Sequence, residues 1–538
     1  MKRRHFLKHS AMSGAALAPP ATVTATTTGR ASTPTTPVAG FELDEMGIPE
    51  LQEGLQSGRW SSAGLTQLYR ERIEAIDRAG PALRSVLWVN AEAMDIAARL
   101  DDERKAGRLR GPLHGIPILL KDNLDTGDRM PTTAGSLALA GSRAAADAFV
   151  VAQLRAAGAI ILGKTNLSEW ANFRGHRSTS GWSSCGGQTR NPYVLDRNPS
   201  GSSSGSAAAV AASLGAAAVG TETDGSILSP SAYCGLVGMK PTVGLISRSG
   251  IIPISRSQDT AGPMARTVTD AAILLQAMTG RDPLDEAMAD GAGPGIGDLR
   301  LLLQPDGLKR ARIGVARRFF EAPPPVRSVL EAALDALRDA GAEMIDPVDA
   351  PGLGGFGGHE LLVLHHEFKA GLNACLAARP GAPVRSLADV IAFNQAHRDT
   401  VMPWFGQEHC LAAQSCGPLT SPEYLQAREA CRQIARHQGI DAVMDTHRLD
   451  AVVVPSGGPA HSTDWIFGDQ GMPTGSSVAA VAGTPSLTVP AGHVHGLPVG
   501  LAFLGRAWSE ATLLRLGYAF EQSTRHRRRP EFRATLAG

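Results

Sequence analysis

Lys121 closes the apolar run "GIPILL". A lysine at the end of a buried strand is desolvated, which favours its neutral amine, and a neutral amine is a base. To act near pH 7.5 its pKa must fall by about 3 units, roughly 4 kcal/mol. The alternative is a lysine whose stem lies along the protein while its ammonium reaches water. This segment alone does not choose between them. A second segment, "RNPSGSSSGSAAAV" from Arg197 to Val210, carries five serines and runs into an alanine-rich helical pattern. It offers hydroxyls and backbone N–H groups at a helix N-terminus. The third, "GTETDGSILSPS" from Gly220 to Ser231, reads as a sharp turn that presents Ser226 among consecutive backbone N–H groups. Such donors suit an oxyanion hole. Together these residue types point to nucleophilic attack on a carbonyl.

The elements that must hold these residues follow from pattern. "GIPILLKDN" and "AIILGKTN" are short apolar runs bounded by turn residues, hence buried strands. "AAAVG", "RIGVA" and "DAVVVPS" are further strands. Helical periodicity covers 48–58, 61–80 and the segments "AEAMDIAARLDDERKAG", "AFVVAQLRAAG", "GSAAAVAASLG" and "EATLLRLGYAFEQ". Strands interleaved with helices define an α/β fold. The expectation is a single large domain with a central twisted mixed β-sheet, covered by helices on both faces. The chain has 538 residues, enough for a large buried core. Its formal net charge of +1 gives no support for nucleic acid or an anionic membrane as the main partner. The basic run "RHRRRP" near the end is read as a solvated tail.

Three motif matches fail on context. Gly158 to Thr165, "GAIILGKT", fits a phosphate-binding loop letter for letter. That loop needs a strand before its first glycine and free N–H groups after it. Here a helix precedes, and Ala-Ile-Ile-Leu is itself the strand. His359-Glu360 resembles a zinc-protease helix, but Val363 stands where the second histidine is needed, and His365 lies two positions too far. Gly201 to Gly205, "GSSSG", fits a nucleophile elbow centred on Ser203. An elbow follows a strand, and the preceding "GGQTRNPYVLDRNP" is not one; no convincing acid and histidine follow. His365, His366, His493 and His495 are read as core or surface residues.

Several ordered segments resemble the amidase signature family. They are "GIPILLKDN", "PSGSSSGSAAAVAASL", "GTETDGSILSPSAYCGLVGMKPTVGLISRSG", "QDTAGPMARTVTDAA" and the closing "AGTPSLTVPAGHVHGLPVGLAFLGRAWSEATLLRLGYAFEQ". The resemblance spans roughly residues 42–522. It implies a catalytic triad in which Ser226 is the nucleophile, Ser202 a bridging serine after a cis peptide bond, and Lys121 the general base. It implies an oxyanion hole from the backbone N–H groups of Thr223, Asp224, Gly225 and Ser226. The implied reaction is hydrolysis of a carboxamide through an acyl-enzyme, with no cofactor and no metal. Ser203 is then the false match, and Ser200, Ser204 and Ser206 are loop and helix-start residues. Two positions depart from the family: Asp224 where glycine is usual, and Leu228 where arginine is frequent. The acidic side chain of Asp224 needs a polar partner. With "WSSCGGQTRNPYVLDRNPSGSSSG", these departures resemble the peptide amidase branch, whose members cleave the C-terminal amide of peptides. The alternatives are a broad amidase on small acyl or aryl amides, or an amidotransferase-type ammonia-producing subunit. Asp122, beside Lys121, points to the opposite face of the strand and is read as structural.

The expected domains are residues 1–40, a twin-arginine signal peptide and a Thr/Pro/Ala-rich tether, and 41–538, the catalytic domain. "MKRRHFLKHSAMSGAALA" carries Arg3-Arg4 before a small apolar stretch, the pattern of a twin-arginine export signal. The expected location is therefore periplasmic or secreted. The expected partner is a small-molecule or peptide amide, with no nucleic acid and no membrane span. Export would permit disulfides among Cys185, Cys234, Cys375, Cys410, Cys416 and Cys431. Cys410 and Cys416 are close enough in sequence to pair, but no pairing follows from sequence.

Overall fold

A computed structural model describes residues 40–288, 297–472 and 474–536. Of the expected signal and tether, residues 1–40, all but Gly40 lie outside them. Among the described residues thirteen strands form. They are β1 (Val86–Val89), β2 (Pro117–Lys121), β3 (Ile160–Thr165), β4 (Trp182–Ser183), β5 (Gly187–Gln188), β6 (Ala217–Glu222) and β7 (Val237–Lys240). After these come β8 (Thr260–Ala265), β9 (Arg312–Val315), β10 (Glu343–Ile345), β11 (Ala451–Gly457), β12 (Ser486–Val494) and β13 (Leu497–Leu504). β4 and β5 pair with each other, and the other eleven make one sheet in the order β1-β3-β2-β6-β8-β7-β12-β13-β11-β9-β10.

The sheet is mixed. β3, β2 and β6 run parallel, as do β11, β9 and β10. The strands from β6 to β11 pair antiparallel in turn. β2, β3 and β6 are buried throughout, which is why they read as unbroken apolar runs rather than alternating ones. Helices flank the sheet. Ser204–Ala211 and Leu228–Tyr233 pack together over the central strands. Val268–Met278 and Glu510–Thr524 pack together against β8 and β12. A satellite core, including Phe173, Phe368, Leu372 and Val390, forms around the long Gly357–Ala377 helix. One large α/β domain results, as the patterns predict.

Boundaries shift by a few residues. The helix expected over 61–80 is α-helical over Ser62–Arg72 and continues as a π-helical turn over Ile73–Arg78. The phosphate-loop match is β3 in fact: Lys164 Nζ donates to Pro131 O (2.8 Å) and Thr132 Oγ1 (2.5 Å), inside the protein. The basic run near the C-terminus is solvated only in part: Arg525, Arg528 and Arg529 are exposed, but the run is anchored to the domain. Arg527 pairs with Glu45 at 2.7 Å and donates to Gly235 O at 2.7 Å, and Pro530 is buried. Charge density suggested solvent; the half-buried Glu45 carboxylate and the Gly235 carbonyl that receive Arg527 are far away in sequence. All six cysteines are unpaired.

Candidate active site

The parallel neighbours β2 and β6 end at one edge of the sheet, where ligands of α/β proteins gather. β2 delivers Lys121, and the segment after β6 delivers Ser226. The serine-rich loop reaches the same edge because the helix it opens, Ser204–Ala211, packs over β2, β3 and β6. Gly220 permits the approach: a Cβ there would lie 2.9 Å from Ser203 Oγ and 2.7 Å from Met264 Sδ.

Lys121 is fully buried. Its Nζ lies 2.8 Å from Ser202 Oγ, 2.9 Å from Thr221 Oγ1 and 3.1 Å from Thr221 O. Asn123 Nδ2 donates to Thr221 Oγ1 at 3.0 Å and steadies that hydroxyl. Burial pulls the lysine down to about 7, against the opposing pull of Asp259 and Glu222. A neutral amine has two N–H groups and one lone pair. If both N–H groups go to Thr221, the lone pair is left for the Ser202 O–H. The lysine does not snorkel.

Ser202 is 1% exposed, and the Gly201–Ser202 peptide is cis. Its carbonyl accepts from Ser168 N at 3.1 Å. Ser203 is used differently. Its hydroxyl donates to Thr221 O (3.0 Å) and accepts from Thr221 N (3.2 Å), so it extends the β6 backbone pairing. Ser200 Oγ meets Ser229 Oγ at 2.9 Å, and Ser206 Oγ meets Thr165 Oγ1 at 2.8 Å. Ser204 starts the helix.

The segment from Thr223 to Ile227 turns sharply, with Gly225 at φ +73°, a conformation glycine adopts without steric cost. Glu222 closes the turn, accepting from Ile227 N (2.7 Å) and Leu228 N (3.0 Å). The N–H groups of Thr223, Asp224, Gly225 and Ser226 have no acceptor among the described residues. Ser226 is 8% exposed; its carbonyl accepts from Ser203 N at 3.2 Å. Its hydroxyl has no hydrogen-bond partner among the described residues, Ser202 included. Asp224 finds the polar partner its charge requires: Ser477 Oγ donates to its Oδ2 at 2.7 Å.

Asp122 faces away from the serines, as expected. It accepts from Thr133 and lies beside Lys164. His365 meets His409 Nδ1 at 3.1 Å and packs on Phe173, while Glu360 turns toward Gln258. Thr221 and Asn123 stand inside the motifs that carry Ser226 and Lys121 and were open to notice. Gln258, Glu360 and Ser477 carry no local signal, because only the tertiary fold brings them to the turn.

An α/β sheet with this lysine and serine arrangement defines an amidase-type hydrolase. The Amidase family model matches residues 65–514, and the chain belongs to that family. A protein named probable amidase from Arabidopsis thaliana is 42% identical, over 91% of this chain and 92% of its own. The native peptide amidase of Stenotrophomonas maltophilia is similar in structure, with TM-score 0.87 and 52% identity, over 92% of this chain and all of that one. A component of the glutamyl-tRNA(Gln) amidotransferase of a Roseiflexus species is 35% identical over 91% of this chain and 99% of its own.

Proposed function

We propose that the protein is an exported peptide amidase that hydrolyses the C-terminal carboxamide of peptides, with Ser226 as nucleophile, Ser202 as proton relay and Lys121 as general base. The observation that carries the chemistry is the 2.8 Å contact between Lys121 Nζ and Ser202 Oγ, at a lysine pulled down to about 7. Neutral Lys121 takes the proton of Ser202, which takes that of Ser226. The relay contact between the two serines closes when substrate binds, as catalytic hydrogen bonds commonly do. Ser226 Oγ attacks the amide carbonyl. The N–H groups of residues 223–226, which have no internal acceptor, are available to the oxyanion. The relay returns its proton to the leaving nitrogen, and ammonia departs. Water then attacks the acyl-enzyme by the same route.

Similarity to the Stenotrophomonas enzyme supports a peptide substrate. The probable-amidase relative supports a second reading, a broader amidase on small amides. Ammonia release from an amidated dipeptide, a free amino-acid amide and a fatty amide separates them; preference for the fatty amide overturns the peptide reading. Ser226→Ala should abolish release from every substrate, and retained turnover would remove Ser226 as nucleophile. Export rests on Arg3-Arg4 and the small apolar stretch that follows them. Replacing both with lysine should leave the protein in the cytoplasm, whereas unchanged export overturns that part of the proposal. Among the described residues no helix is long and apolar enough to cross a membrane.

A further inference from the structure

Asn123 is buried beside the base. Its Nδ2 lies 3.0 Å from Thr221 Oγ1, which lies 2.9 Å from Lys121 Nζ. Among the described residues that hydroxyl has no third hydrogen-bond partner. A hydroxyl carries one hydrogen and two lone pairs, and an amide NH2 only donates. The Thr221 hydrogen therefore goes either to Lys121 Nζ or to an oxygen of Asn123. With the Asn123 nitrogen toward Thr221, the hydrogen is left for Lys121 and occupies the lone pair of the neutral amine. The two lysine N–H groups then fall to Ser202 Oγ (2.8 Å) and Thr221 O (3.1 Å). Lys121 so arranged donates to Ser202 and has no lone pair for its proton. Rotating the amide by half a circle exchanges its oxygen and nitrogen in place. Thr221 then donates to Asn123 Oδ1, both lysine N–H groups go to Thr221, and the lone pair faces the Ser202 O–H. Oδ1 is buried without a partner in the first orientation and gains one in the second.

We propose that the Asn123 amide sets the direction of the proton relay: its oxygen toward Thr221 makes Lys121 an acceptor for Ser202, and its nitrogen toward Thr221 makes Lys121 a donor. Asn123 and Thr221 are positioning residues that act through Lys121. The oxygen-facing orientation also serves after proton transfer. The ammonium then has three N–H groups, for Ser202 Oγ, Thr221 Oγ1 and Thr221 O, while Thr221 still donates to Asn123. No side chain has to rotate between the two protonation states, so the site is ready for both. Asp259 and Glu222 are the charged groups that act on Lys121. Asp259 accepts from Thr223 Oγ1 and from the N–H groups of Ile254 and Ser255. Glu222 accepts from the N–H groups of Ile227 and Leu228. Neither gives the Thr221 hydroxyl an acceptor, so the choice falls to Asn123.

The inference deepens the amidase reading and rests on it for its kinetic consequence, but not for the hydrogen-bond direction. The kinetic experiment is the pH dependence of kcat on an amidated dipeptide. Asn123→Leu leaves the Thr221 hydrogen no acceptor but the lysine, so kcat should fall tenfold or more while KM stays near that of wild type. Thr221→Val removes that hydrogen. In the Thr221→Val background, Asn123→Leu should therefore cost less than twofold, a rescue that a merely structural role would not give. An equal loss in both backgrounds, or wild-type kcat in Asn123→Leu, overturns the proposal. Asn123→Asp offers Thr221 only oxygen. It should keep plateau kcat within about threefold, with the acid limb moved to higher pH by the added negative charge. A plateau as low as that of Asn123→Leu would show that the NH2 is needed and would overturn it too. The direct experiment is carbon NMR of the whole protein with labelled lysine, the Lys121 signal being the one lost in Lys121→Met. Its titration should move down in Asn123→Leu, where an accepted hydrogen bond favours the neutral amine, and up in Asn123→Asp. An unmoved titration in Asn123→Leu overturns the proposal. If both shifts appear but wild type hydrolyses no amide at any pH, the function fails and the relay direction stands.

Discussion

Ser202 and Ser203 are neighbours with identical side chains and different partners. Ser202 faces a lysine amine; Ser203 faces both polar groups of the Thr221 backbone. Ser202→Ala should lower kcat by a factor of about 10² to 10⁴, the usual worth of positioned proton transfer. Ser203→Ala should keep more activity and instead lose about 1–3 kcal/mol of stability, because buried Thr221 N–H and C=O lose a partner; denaturant unfolding reads the difference. The reverse order would restore Ser203 as the reacting hydroxyl. The amine itself sets a pH dependence. Turnover should rise with unit slope as pH approaches about 7 from below, since only neutral Lys121 accepts a proton. The sign for stability is opposite to that of an ion-paired lysine. The folded state binds fewer protons than the unfolded chain between pH 7 and 10.5. The cost of holding Lys121 is therefore absent above that window, grows as pH falls through it, and levels below pH 7 at roughly 5 kcal/mol. Relative to wild type, Lys121→Met should thus gain stability on going from pH 10.5 to 7, measured as ΔG of unfolding.

At the scale of elements, the site depends on how closely the serine-rich loop and its helix approach the sheet. Gly205 lies where a Cβ would be 2.4 Å from both Asn166 O and Ser85 O. Neither backbone oxygen can rotate away, so Gly205→Ala should destabilise by more than about 2 kcal/mol, beyond the usual overpacking penalty at its lower end, and should lower activity through a displaced Ser202. Unchanged melting and unchanged turnover would show that the loop position is not set by this contact. The strands that carry the site were legible because β2, β3 and β6 are buried on both faces and leave uninterrupted apolar runs. The Ser204–Ala211 helix was legible from its small residues. The π-helical turn over 73–78 was not, since its periodicity differs from an α-helix by one residue in a single turn. Arg527 and Glu360 were misjudged or missed for a common reason. Each is defined by a partner more than a hundred positions away, which no local pattern encodes.

For the whole molecule, the sheet divides between β7 and β12. Every strand on the β1 side comes from residues 86–265, and every strand on the β10 side from residues 312–504. Lys121, Ser202 and Ser226 all belong to the first half, while Glu360 and Ser477 arrive with the second. A chain ending at residue 485 would leave β7 without the β12 ladder of Ser486↔Lys240 and Thr488↔Gly238. Such a chain should be insoluble on expression, because an exposed central strand pairs with other chains; a soluble, active product would show that the fold stands without β12 and β13. The same division sets a schedule on the ribosome. At about 5–20 residues per second, roughly 10–45 s separate the completion of β8 from the emergence of β12. Throughout that interval the residues proposed for catalysis have been synthesised, while the edge of β7 waits for its neighbour. The chain's most vulnerable moment thus precedes its first chance to work, and synthesis speed through residues 266–485 governs how long it lasts.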